Sequence, residues 1–198
     1  MLDLARSKDP IDASAPIEYL KCSADALDVA DGSVDLVTCQ QGLQFFPNRP
    51  LALAEMRRAL RPGGKLGIAV WCRIDDCPPF LALANALEEV LGSEVAATYR
   101  GGPWGFGDAP ALARLANEGG FTDVDVHKYE LPVVFEGGPH QLQLTLGAAS
   151  VATIVAQLSE ADQSALSAAV EHASRSITKD GVIRSHAASH ILTAVKDR

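Results

Sequence analysis

The 198-residue chain has no apolar run approaching the roughly 20 residues that a membrane-spanning helix requires. Its first ten residues, MLDLARSKDP, have no apolar core of the kind a signal peptide carries. The expectation is a cytoplasmic protein without a membrane partner. It also lacks an excess of basic residues: 17 Lys and Arg against 25 Asp and Glu leave a net charge of -8. That balance argues against a nucleic-acid partner, because phosphate binding needs concentrated positive charge. The one basic cluster, Arg57, Arg58, Arg61 and Lys65, falls at the end of an expected helix and just beyond it. Cations there complement the helix dipole and solvate a surface face. Close C-x-x-C pairs are absent too. Of Cys22, Cys39, Cys72 and Cys77, three fall in or at the end of expected strands, where free cysteine behaves as a small hydrophobe, and no metal site is expected. The five histidines, His127, His140, His172, His186 and His190, are scattered. His186 and His190 share a face of an expected strand but stand about 13 Å apart, too far to hold one ion. Repeats, low-complexity tracts and linkers are missing. With 47% hydrophobic and 21% charged residues, residues 1–198 read as one domain with one sizeable core.

What is present centres on Val34 to Trp71, VDLVTCQQGLQFFPNRPLALAEMRRALRPGGKLGIAVW. Val34 to Cys39 is apolar enough for a strand buried on both faces. Arg49 to Leu60 has helical spacing, with Leu51, Leu53, Ala54, Met56 and Leu60 apolar. Arg61-Pro62-Gly63-Gly64 stops the helix, since proline cannot extend it and glycine accepts the left-handed conformation. Lys65 to Trp71 is a second strand, so the unit is a right-handed parallel crossover and the class is α/β. Such sheets hold ligands at their carboxyl edge, and the usual companion is a glycine-rich loop earlier in the chain. No such loop precedes this unit.

On either side the reading is plainer. Met1 to Lys8 has a short helical pattern broken by Asp9 and Pro10, and Ile17 to Cys22 alternates like a strand that ends at Ala24-Asp25-Ala26. Downstream, Phe80 to Leu91 is an expected helix. A glycine-rich loop, Gly101 to Asp108, leads to a second helix capped by Asp108 and ended by Gly119-Gly120. Phe121 to Leu131 is a strand, Ser159 to Ile177 a helix whose Ser159 and Asp162 form a capping box, and Ser185 to Val195 a final strand. Trp104 and Phe106 can close over a substrate as a lid or simply pack on the sheet. No general base is identified; Tyr99, His127 and His140 are candidates only because they can titrate or accept a proton.

The order of Ala24-Asp25-Ala26, DGSVDLV and QGLQFFPNRPLALAEMRRALRPGGKLGIAVW resembles the class I S-adenosylmethionine-dependent methyltransferases, nearest their ubiquinone and menaquinone biosynthesis branch. The resemblance implies a Rossmann-like, mostly parallel sheet with flanking helices and a helical insertion before the last strand. It implies S-adenosylmethionine as cofactor and a small-molecule methyl acceptor. By residue, Asp25 matches the acid that accepts from the adenine amino group, and Ala26 would offer its N–H to the ring. Cys39, Gln40 and Gln41 would lie nearest the methyl group, and Phe45 and Phe46 near the substrate. The family's glycine-rich loop and ribose-binding carboxylate have no counterpart here, so the domain is expected to be truncated at its N-terminus. A non-catalytic fragment acting as an interaction module is the alternative. With two family strands missing, Val34 to Cys39 is expected to have a bare edge. The favoured repair slides Ile17 to Cys22 beside it, and the other is a homodimer through the exposed sheet edge.

Overall fold

A computed structural model describes residues 2–8 and 16–197. It contains eight α-helices among those residues: α1 (Leu2–Arg6), α2 (Arg49–Ala59), α3 (Pro78–Leu91), α4 (Ser93–Arg100), α5 (Ala109–Glu118), α6 (Gly138–Leu144), α7 (Ala152–Val155) and α8 (Glu160–Ser174). The five strands are β1 (Val34–Gln40), β2 (Leu60–Trp71), β3 (Phe121–Phe135), β4 (Thr178–Lys179) and β5 (Val182–Lys196). They form one sheet in the order β1-β2-β5-β3, with β4 attached to β5. The α/β architecture and the helical insertion between β3 and β5 are as expected. Parallel pairing, however, is confined to β1 and β2 among the described residues, since β5 runs antiparallel to β2, β3 and β4.

The crossover forms where local signals agree. The Asn48 side chain accepts from the Leu51 N–H at 3.1 Å, Pro50 stands in the first turn, and Leu60 leaves the helix already extended. Gly63 takes φ +74, which only glycine adopts without strain. Gly64 has no room for a side chain, as a Cβ would lie 2.8 Å from the Arg61 carbonyl oxygen. Farther on, Asp108 caps α5 by accepting from Ala111 at 2.9 Å, and Ser159 Oγ both accepts from the Asp162 N–H and donates to its carboxylate.

Two apolar clusters make up the core. Leu66, Ile68 and Val70 of β2, with Leu192 and Ala194 of β5, bury one face of the sheet under Leu53 and Met56 of α2 and Leu112 and Ala116 of α5. The second gathers Leu83 and Leu87 of α3, Leu142 of α6 and Leu166 and Val170 of α8 around Tyr99, Trp104 and Ile183.

The segment Ile17 to Cys22 is not a strand. Ile17 and Leu20 are 60% and 39% exposed, and the stretch ends in an isolated bridge between Ser23 and Ala26. Residues 27–31 are tied to α2 instead of returning to the sheet. Arg58 donates to the carbonyls of Leu27 and Val29 and to Asp31, while Glu55 accepts from the Leu27 N–H. The intramolecular repair of the sheet therefore does not occur: among the described residues, β1 has β2 as its single neighbour. The other edge, β3, is of a different kind. It carries Pro132, a break in register between Thr122 and Asp125, and the polar side chains of Asp125, His127, Lys128 and Glu130.

Candidate functional site

The carboxyl end of β1 is where the chain departs from ordinary geometry. Gln41 has φ +52, a left-handed conformation uncommon for a residue with a side chain, and its N–H still donates to the Ala69 carbonyl at 2.9 Å. This turn aims its amide back across the sheet. Gln41 Nε2 donates to Ser189 Oγ of β5 at 2.9 Å, and Gln41 Oε1 accepts from Gln44 Nε2 at 3.3 Å. Gln44 is 5% exposed, and Arg49 braces its turn by donating to the carbonyls of Leu43 and Gln44. Gln44 Oε1 is buried and has no donor among the described residues. A buried acceptor left so costs about 1–3 kcal/mol, which a hydrogen-bonding ligand would recover.

Two clefts flank this end of the strand. One, of about 370 Å³, is lined by Gln40, Gln41, Trp71, Tyr129, Leu131 and Ile191, with Ser189 in its wall. The other, of about 250 Å³, holds Asp25 with Phe46, Pro47, Asn48 and Ala52. Gln40 and Gln41 thus share one cleft and Asp25 lines the other. Asp25 accepts from Ser23 Oγ inside its own turn, and the Ala26 N–H donates to the Ser23 carbonyl at 3.1 Å. Ala26 thus has its N–H committed locally. Cys39 faces neither cleft: a Cβ on Gly42 would come within 3.1 Å of its sulfur, and burial pushes its thiol pKa up. Cys72 is fully buried and pushed up to about 12, again by burial, so neither cysteine is a ready thiolate.

The other expected residues are dispersed. Phe46 lines the Asp25 cleft, whereas Phe45 is 56% exposed. Trp104 packs on Phe80 and Tyr99 with ring centroids 5.3 and 5.1 Å apart, and Phe106 lies under the Arg49 guanidinium, so the Gly101 to Asp108 loop is pinned down by its aromatics. Tyr99 is buried, with its phenol pKa raised by desolvation; His127 pairs with Asp125 on the β3 edge, and His140 lines a cleft beside α8. None of the three stands at Gln41. The titratable group that does is Tyr129, brought beside Ser189 by the β3–β5 register. Only that register brings Tyr129, Ser189 and Gln41 together, and no sequence motif announces it. The basic cluster is spent internally: Arg57 on Gly120 and Asp197, Arg58 on Glu55 and Asp31, Arg61 on Asp35.

A strand–helix–strand crossover with ligand-sized clefts at its carboxyl edge is the signature of a Rossmann-like nucleotide- or cofactor-binding domain. Residues 1–68 match the model of a methyltransferase domain family. The chain is 32% identical to a demethylmenaquinone methyltransferase of Lactococcus lactis over 143 residues, covering 65% of this chain and 55% of that one. It is 31% identical to a ubiquinone/menaquinone biosynthesis C-methyltransferase of Cupriavidus necator over 125 residues, covering 57% and 50%. A solved Bacillus halodurans structure, provisionally assigned as a methyltransferase, superposes with a TM-score of 0.55 at 17% identity over 91% of this chain and 72% of that one, a likeness of fold. Over part of its length the chain is thus similar to S-adenosylmethionine-dependent methyltransferases, and its fold is like that of a methyltransferase-like structure. It spans about half the length of these curated relatives. The alternative of a non-catalytic interaction module gains no support from them.

Proposed function

We propose that the chain contributes to S-adenosylmethionine-dependent methylation of a small molecule. The observation that carries this reading is the orphaned Gln44 Oε1 beside Gln41, at the carboxyl end of β1 in a chain similar to these methyltransferases. The acceptors there are the Asp25 carboxylate, which lines one cleft, and the Gln44 amide oxygen, buried beside Gln41 and lining neither cleft. They suit the amino, ammonium and hydroxyl donors that such a cofactor carries, and in that respect the residues fit it. The cofactor would supply an electrophilic methyl carbon on a sulfonium.

This chain's residues then have separable tasks. Asp25 accepts from the adenine amino group beside Phe46. Gln41, held by Ser189 and Gln44, fixes the floor between cofactor and acceptor, and alignment of that kind accounts for much of the rate in a direct displacement. Trp71, Leu131 and Ile191 hold an acceptor of apolar body and exclude water. Tyr129 lines the same cleft, where its phenol would hydrogen-bond a polar group of the acceptor. These 198 residues show no glycine-rich loop ahead of β1, so we further propose that their affinity for the cofactor is about millimolar or weaker, worth about 4 kcal/mol.

Amide NMR during titration with S-adenosylhomocysteine tests the reading at such affinities. Saturable shifts at Asp25, Gln41 and Gln44, weakened about five- to thirtyfold by Asp25→Ala, are expected. Saturable shifts that leave all three residues untouched would refute the site, and micromolar binding would refute the weak affinity.

A further inference from the structure

We propose that Arg49 is the positioning residue of the site at the carboxyl end of β1, a strut that holds Gln41 and Gln44 in place by tying their turn to the Gly101 to Asp108 loop. This role rests on the site proposed above and adds to it the residue that orients its amides. Two costs meet in that turn. Gln41 sits at φ +52, and Gln44 Oε1 is buried without a donor, so neither side chain keeps its place by its own preference. The short 3-10 turn between them and α2, Leu43–Phe45, has no side-chain cap at Gly42, and a turn of three residues does little to hold itself.

Arg49 supplies the missing hold. Its Nε donates to the Leu43 carbonyl at 3.2 Å and its Nη2 to the Gln44 carbonyl at 2.8 Å, so one rigid plane grips two successive carbonyls. As the first residue of α2, Arg49 is itself fixed by the Asn48 cap and Pro50. The face of the same guanidinium lies 4.4 Å from the centroid of the Phe106 ring. Phe106 is anchored in turn, because the adjoining Gly107 packs so closely on the chain leaving β2 that a Cβ would lie 2.5 Å from the Arg73 nitrogen. One side chain thus bridges the turn after β1 and the loop packed on the end of β2. Ion pairing does not account for it. Arg57, Arg58, Arg61 and Arg100 each meet a carboxylate, whereas half-buried Arg49 has none among the described residues. Its donors and its face are given to the two carbonyls and the ring. Lysine, a point charge without a planar fork, could not grip both carbonyls and stack on Phe106 at once.

NMR of the side-chain amides of Gln41 and Gln44, with S-adenosylhomocysteine as the probe, tests the role in Arg49→Lys and Phe106→Leu. In both variants these amide resonances should shift or broaden before any probe is added. Affinity for the probe should fall about three- to tenfold in Arg49→Lys and by less in Phe106→Leu, which keeps the two carbonyl bonds. Ser159→Ala, which removes the cap of α8 away from the site, controls for lost stability: its melting temperature should fall while the resonances and the titration stay as in the wild type. Wild-type resonances and affinity in Arg49→Lys overturn the role and leave the site standing. Lost affinity with the Gln41 and Gln44 resonances unmoved also overturns it, since Arg49 would then act on the ligand itself. A wild type whose saturable shifts spare Gln41 and Gln44 refutes the site and this role together.

Discussion

The two edges of the sheet answer the same physical problem in opposite ways. Along β3 the sequence protects itself: Pro132 removes a donor, Asp125 stands against His127, and Lys128 pairs with both Asp76 and Glu130. Along β1 there is one charge in seven residues, and Leu36 is exposed. Edge devices cost a strand some of its pairing potential and are the usual defence against unwanted partners. They are present along β3 and absent along the described residues of β1. The same asymmetry bears on function, because the two candidate clefts open beside the carboxyl end of β1 and not along β3 alone.

The largest expected effect comes from removing what holds both edges in place. Leu192 lies fully buried in β5 between α2, α5 and the sheet. Leu192→Ala should cost about 2–5 kcal/mol, read as a lower urea midpoint, and should speed amide exchange in β1 and β3 together. Exchange that rises in one edge alone would show the edges to be energetically separate.

Next is an attempt to turn β3 into a second β1. Replacing Pro132 by Val and Lys128 and Glu130 by Thr should convert a guarded edge into an adhesive one. Light scattering is expected to show larger species than the wild type forms at the same concentration. A triple variant that associates no more than wild type would mean that the register break at Thr122 to Asp125 guards the edge by itself.

A smaller effect concerns the tie that keeps the chain's own residues 17–22 away from β1. Glu55 is held down to about 2 by its hydrogen bonds to Arg58 and the Leu27 N–H, against 4.5 for a free carboxyl. Its folded pKa lies below its unfolded value, so its contribution is complete above pH 4.5 and is lost as pH falls toward 2. In thermal melts the wild type should therefore lose more stability than Glu55→Gln between pH 4.5 and 2. Parallel slopes for the two proteins would remove this tie from the account.

These contrasts also show how far the sequence alone could be read. The crossover was legible because each signal in it is local: Asn48 and Pro50 start α2, Arg61-Pro62-Gly63-Gly64 ends it, and β-branched and apolar residues make the strands. Asp108 and Ser159 declared their helices for the same reason. Ile17 to Cys22 misled because alternation describes a strand that has a neighbour, and Arg58 draws residues 27–31 to α2 instead. The insertion of β5 between β2 and β3, and with it the meeting of Tyr129, Ser189 and Gln41, depends on pairings far apart in sequence. Of the residues lining the clefts, Asp25, Gln40 and Gln41 were named through family resemblance, whereas Ser189 and Tyr129 join Gln41 only through the register.

The smallest expected effect isolates the charge on β1. Asp35 and Arg61 form an ion pair with side chains 79% and 55% exposed, joining the start of β1 to the irregular opening of β2. Pairs so open to water and salt contribute little, since solvent screens the attraction and two long side chains lose freedom. Asp35→Asn should thus change stability by no more than about 0.5 kcal/mol, a shift of about 1–2 °C in melting temperature by calorimetry. A much larger melting shift would show that the ion pair clamps β1 onto β2.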